Sequence, residues 1–229
     1  MALFDLLARL RRDEAGDGAA GANSPVQPTM ALARFLTGLG SRRQPVLLDL
    51  GPVVGSNLTF FGGEFGCKVF VEDLFRDIDR HVHEAKVDDL KAVFDQRLSY
   101  ESETVDGILC WDLFDYLDRP AAERLARQLT RLLRPSGMLL AFFGTADPRS
   151  AIQPTYTRHV VIDRAHLQCR PFRAARAKQR PLLNRDIQRL FEGLRITETF
   201  LLKTNLREVL FRKPGDATVA PTPGLPAEG

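Results

Sequence analysis

Apolar residues recur along this chain in two alternating rhythms. Short apolar runs bounded by polar or glycine-containing punctuation, at Val46–Leu50, Lys68–Val71, Val105–Cys110 and Met138–Phe143, read as buried strands. Between them the apolar positions fall three and four apart. That spacing predicts helices over about Pro28–Leu39, from the turn Gly51–Ser56 to about Phe65, and over Pro120–Leu133, the last closed by the turn Arg134-Pro135-Ser136-Gly137. Strands alternating with helices predict an α/β domain with a mainly parallel, doubly wound sheet. The last quarter adds a helix at Leu183–Leu194, closed by Gly193, then strand-like runs at Ile196–Leu202 and Arg207–Arg212. Only Lys203–Leu206 separates those runs, too little for the crossover that parallel strands need, so the sheet is expected to end in an antiparallel hairpin.

The ends read differently. Leu3, Phe4, Leu6, Leu7 and Leu10 share one side of a helical projection, with Arg9, Arg11 and Arg12 following, so residues 1–12 are expected to form a short amphipathic helix. Residues 13–27 are rich in Gly, Ala, Asn and Pro and read as a flexible linker; 214–229, proline-rich and nearly without apolar residues, read as a disordered tail. The folded domain is expected to span 28–213, with a basic insert at about 147–182.

Composition sharpens this picture. The chain has 229 residues, 44% of them hydrophobic, which suits one sizeable core but not two. A formal net charge of +3 is too mild to demand nucleic acid or a membrane as partner. Cys67, Cys110 and Cys169 have neither the spacing of a zinc site nor an even count, and fit a reducing cytoplasm. The apolar start carries its arginines on the wrong side for a secretory signal, and nothing approaches the ~20 apolar residues of a membrane span.

The stretch with candidate chemistry is PVLLDLGPVVGSN, residues 45–57, a strand running into a turn. A ligand lying across the carboxyl edge of a parallel sheet meets such a turn, where backbone amides are exposed and side chains must be small. Gly51 and Gly55 meet that need, and Asp49 ends the strand as an acceptor. Glu72 and Asp73 end the next strand, where a carboxylate can take both hydroxyls of a ribose.

Three stretches, LLDLGPVVGSN followed by CKVFVEDL, ETVDGILCWDLFDYL and LTRLLRPSGMLLAFF, make the chain resemble a class I S-adenosylmethionine-dependent methyltransferase over residues 28–213. The resemblance implies a mostly parallel seven-stranded sheet ending in an antiparallel hairpin, with S-adenosyl-L-methionine as cofactor. It implies a cofactor-binding set of Asp49, Gly51, Pro52, Gly55, Glu72, Asp73 and Trp111, with the ribose falling to either Glu72 or Asp73. It assigns no metal and no catalytic side chain, because the methyl group is already activated and positioning can supply much of the catalysis. Where the family's loop carries its middle glycine this chain has Val53, after Pro52, a bulky residue that dislikes positive φ. Asp95 stands near the expected adenine acid, on residues with helical spacing.

Other polar residues have structural readings. Asp112 is expected to cap the LFDYL segment; His81 and His83 are expected to be solvated, and Cys67 and Cys110 buried. The fourth strand ends in Cys110-Trp111-Asp112-Leu113 instead of an N-P-P-Y or D-P-P-Y tetrapeptide, which argues against amino methylation of nucleic-acid bases; the acceptor is expected to be an unidentified small molecule. Nine Lys/Arg between Arg158 and Arg189, against Asp163 and Asp186, offer a surface for nucleic acid or an acidic partner. Two other classes compete: a non-catalytic scaffold on the same fold, and a nicotinamide-dependent oxidoreductase, disfavoured because Gly51 and Gly55 do not make G-x-G-x-x-G.

Overall fold

The structure is a computed structural model that describes residues 24–146, 153–179 and 181–215. The amphipathic segment expected at 1–12, most of the linker and the tail from 216 onward lie outside those residues. The elements run β1 (Val26–Pro28), α1 (Ala31–Leu39), β2 (Val46–Asp49), α2 (Gly55–Thr59, continued by a π-helical turn Phe60–Glu64) and β3 (Lys68–Val71). Then come α3 (Leu74–His83), α4 (Leu90–Arg97), β4 (Val105–Trp111), α5 (Arg119–Leu132), β5 (Leu133–Gly144), β6 (Thr155–Asp163) and β7 (His166–Arg173). The chain closes with α6 (Asn184–Leu190), β8 (Arg195–Leu201) and β9 (Leu206–Arg212).

The principal sheet has the order β3-β2-β4-β5-β9-β8. Its first four strands are parallel, and β9 pairs antiparallel with both β5 and β8, so the expected terminal hairpin is present. Six strands are described where seven were expected. The missing strand would fall near residues 87–97, which form a 3-10 turn and α4, because Leu90 and Phe94 lie one helical turn apart and are both fully buried.

Alternation along each strand feeds two cores. Ile108, Cys110, Leu139, Ala141 and Phe143 face α3, α4 and α5, whereas Leu109, Trp111, Leu140 and Phe142 face α1 and the π-helical turn. α1 packs close because β4 has no side chain at Gly107: a Cβ there would lie 2.6 Å from Leu39 and 2.8 Å from Phe35. Its first turn is capped from afar. Glu208 on β9 accepts from the amides of Met30 and Ala31, each at 2.8 Å.

A second sheet, β1-β7-β6, is antiparallel and was not expected from the sequence. The basic insert contains a hairpin, and the end of the presumed linker is a strand, with Val26 paired to Gln168 and Pro28 to His166. Pro28 fits this role because β1 pairs on one side only, where a missing N–H is tolerated. Hence α1 starts at Ala31.

Candidate functional site

The carboxyl ends of β2, β3 and β4 meet at Asp49. This carboxylate is buried, and its Oδ1 accepts from the Gly51 amide at 2.9 Å and from Trp111 Nε1 at 2.7 Å; neither bond uses Oδ2. Burial pushes its pKa up to about 6, against the pull of those two donors. Gly51 is required for space, since a Cβ there would lie 2.6 Å from the Trp111 ring. Among the described residues only Gly66 and Gly193 are glycines with positive φ, so the turn from Gly51 to Gly55 uses no left-handed residue. Val53 therefore sits in the loop without the backbone penalty that its β-branched side chain would otherwise incur.

The acid pair after β3 divides its work. Glu72 donates its amide to the Asp49 carbonyl at 2.8 Å, which fixes it beside the loop. Its carboxylate accepts from the Tyr100 hydroxyl and pairs with Arg97 Nη2 at 3.0 Å. Burial and then Glu72 raise the Tyr100 phenol well above its ordinary value, so it stays a donor. Asp73 caps α3 by accepting from the Arg76 amide at 3.2 Å. Asp95 points elsewhere: Arg124 grips it with two 2.7 Å bonds and Gln128 adds a third, tying α4 to α5.

Trp111 ends β4 at a register shift, with φ of 50°. For a bulky residue this left-handed backbone costs about 1–3 kcal/mol. Its ring is held on both sides, by Asp49 and by His159 of β6, which stacks on it with centroids 5.0 Å apart and planes 16° from parallel. Phe142 meets both rings edge-on, at 5.6 and 5.2 Å. β6 is also clamped to the cradle helix: Asn57 of α2 donates Nδ2 to the His159 carbonyl at 2.9 Å and accepts from the Val161 amide at 2.8 Å. The unexpected sheet thus lies over the carboxyl edge where the resemblance puts the cofactor.

Asp112 does not cap the turn after it. Instead its buried carboxylate accepts from Lys178 Nζ at 2.9 Å and Tyr116 OH at 3.3 Å, and faces His159 Nε2 at 3.4 Å. Lys178 also donates to Asp115 at 2.9 Å, and Asp115 accepts from the Gly144 amide at the end of β5. Burial alone would raise the Asp112 carboxyl, but Lys178 and His159 hold it well below the usual carboxylate range. Burial would likewise lower His159, yet Asp112 brings it up to about 9, with Cys169 Sγ 3.9 Å from its other ring nitrogen. His159 is therefore an imidazolium at neutral pH.

Several sequence expectations need correcting. His81 is buried and bonds the Asp77 carbonyl through Nδ1, whereas His83 is exposed. Cys67 and Cys110 are buried as expected. The basic segment is partly consumed internally: Lys178 lies in the ion cluster, Arg176 is 3.9 Å from Asp118, and Arg158 and Arg164 lie over the rings of Phe172 and Phe65. The hairpin and its His159 were missed although Val160 and Val161 beside His159 are β-formers and Asp163-Arg164-Ala165 reads as a turn; nine basic residues masked that pattern. Flanking the ion cluster, a groove of about 660 Å³ runs between α5 and α6 over Phe114, Leu117 and Leu182. No helix among the described residues is long and apolar enough to cross a membrane, and no group of His, Cys, Asp or Glu could hold a metal ion.

The donor set suits S-adenosylmethionine. A buried carboxylate at the head of a glycine-flanked turn complements the positive charge of the methionine part, and an acid beside it complements a ribose. A family model for a methyltransferase domain matches residues 22–191. The sarcosine/dimethylglycine N-methyltransferase of Halorhodospira halochloris is 30% identical over 132 residues, covering 53% of this chain and 44% of the relative. The chain thus spans less than half the length of that curated relative. Among solved structures, an S-adenosylmethionine-dependent methyltransferase from Clostridium acetobutylicum is 10% identical with a TM-score of 0.50, covering 93% of this chain and 100% of the other. The 1,6-didemethyltoxoflavin-N1-methyltransferase of Burkholderia thailandensis, solved with S-adenosylhomocysteine, is 17% identical with a TM-score of 0.48, covering 92% and 86%. The family model covers most of the chain, so this chain belongs to the methyltransferase-domain family, whose members have the class I fold and use S-adenosylmethionine.

Proposed function

We propose that this protein is an S-adenosylmethionine-dependent methyltransferase acting on a small-molecule acceptor through residues 28–213. The observation that carries the reading is the buried Asp49 carboxylate at the mouth of the Gly51–Gly55 turn, with Oδ2 outside both of its hydrogen bonds. When bound, the cofactor supplies a methyl group activated by its sulfonium. Asp49, Gly51, Pro52 and Gly55 form the cradle, Glu72 or Asp73 receives the ribose, and Trp111 walls the reacting end. The lid of β6 and β7 excludes water. The three cysteines are free thiols, which supports a reducing cytoplasmic setting.

A second reading, a non-catalytic binding protein on the same fold, is favoured by one observation: both oxygens of Glu72 are already engaged, by Tyr100 and Arg97. Calorimetric titration with S-adenosylmethionine and S-adenosylhomocysteine separates the two when paired with transfer of labelled methyl into the small-molecule fraction of a cell extract. Micromolar binding and transfer are expected; binding without transfer favours the second reading. Gly51→Ala overpacks the Trp111 contact by ~1–3 kcal/mol and is expected to weaken binding about tenfold.

A further inference from the structure

His159 joins the lid to the carboxyl edge through a ring, a charge and its own backbone. The ring covers Trp111 and meets the edge of Phe142; Nε2 faces Asp112; the carbonyl is bonded by Asn57 of the cradle helix. Trp111, in turn, holds a strained backbone, bonds Asp49 and closes on Gly51. A strained residue relaxes unless its surroundings over-determine it. On the lid side the residue doing so is His159.

We propose that His159 is a positioning residue of the methyl-transfer site, holding Trp111 against Asp49 and Gly51 so that the indole forms a fixed wall for cofactor and acceptor. The role rests on the methyltransferase reading. Both ring nitrogens are occupied, by Asp112 and by Cys169, so His159 acts through Trp111 and not on substrate. The groups that face it are Asp112 at the exit of β4, Cys169 on β7 and Asp49 on β2, with Lys178, Asp115 and Tyr116 behind Asp112. Stacking on Trp111, the edge of Phe142 and the Asn57 bond to its carbonyl hold the ring in place, and its charge adds the Asp112 contact below a pH of about 9.

The chain has a single tryptophan, so its emission reports this contact alone. Imidazolium quenches indole, so wild-type emission is expected to rise with pH, with a midpoint near 9, the value to which Asp112 raises His159. His159→Phe keeps a stacking ring without charge; it is expected to abolish that titration while leaving S-adenosylhomocysteine affinity within about threefold. His159→Ala removes the ring and is expected to weaken the same ligand about tenfold. His159→Gln serves as a second deletion of the ring should the alanine variant not fold by circular dichroism. Wild-type affinity in both Ala and Gln variants would overturn the role while leaving the methyltransferase reading standing. Absence of any binding by the wild type would sink the methyltransferase reading and this role together.

Discussion

The two ends of β4 both bury an aspartate, yet they are built in opposite ways. At the amino end Asp106 accepts from the Val46 amide at 2.8 Å and pairs with Arg134 at 3.0 Å and Arg42 at 3.2 Å. Both arginines are about one-third exposed, so the charge is compensated by groups that keep contact with water. At the carboxyl end Asp112 is compensated by His159 of the lid and by Lys178 of the segment that follows β7. The first cluster ties strand to strand and completes the scaffold. The second ties the scaffold to the inserted hairpin.

The largest way to break this contrast is at the scaffold end. Asp106→Ala removes the acceptor for Val46 and leaves two arginines facing each other, which is expected to cost about 2–4 kcal/mol in urea denaturation. Ligand affinity of the folded fraction should not change. A loss of affinity with intact stability would mean that the two ends are not separate in function.

The lid end is expected to respond to pH. His159 is raised from 6.5 to about 9 on folding, so its contribution is fully present below 6.5 and is lost as pH rises through 9. That contribution is on the order of 3 kcal/mol. Asp49 adds a smaller slope of the same sign: raised from 3.8 to about 6, it makes stability fall as pH rises through that window. Asp112 opposes on the acid side, since its depressed pKa gives stability that is present above 3.8 and lost as pH falls below it. Chemical denaturation at a series of pH values checks this: His159→Phe should flatten the segment between about 6.5 and 9 and also weaken the acid-side contribution of Asp112, which His159 helps to hold low. The smallest effect should come from Asp95→Asn, which loosens an exposed link between α4 and α5. Unchanged affinity for S-adenosylhomocysteine would separate Asp95 from the adenine site.

Much of the scaffold was legible in the sequence because it rests on local periodicity. The runs at Lys68–Val71 and Val105–Cys110 and the helix near Pro120–Leu133 lie within a residue or so of β3, β4 and α5. The four-residue gap Leu202–Asn205 between β8 and β9 required antiparallel pairing. The insert was not legible: its strands pair with one another and with Val26–Pro28, about 140 residues away, and no local pattern records such a partner.

The sequence by itself therefore determined the strand-helix order, the terminal hairpin and the meeting of Asp49, Gly51, Glu72 and Asp73 at one sheet edge, because parallel βα units send every strand end to the same side. Tertiary structure decided the rest. It turned Asp112 from a helix cap into the anchor of an ion cluster, placed His159 on Trp111, and gave Glu208 to the first turn of α1. These outcomes depend on which distant donor reaches a buried acceptor first in space, and burial makes that partner obligatory.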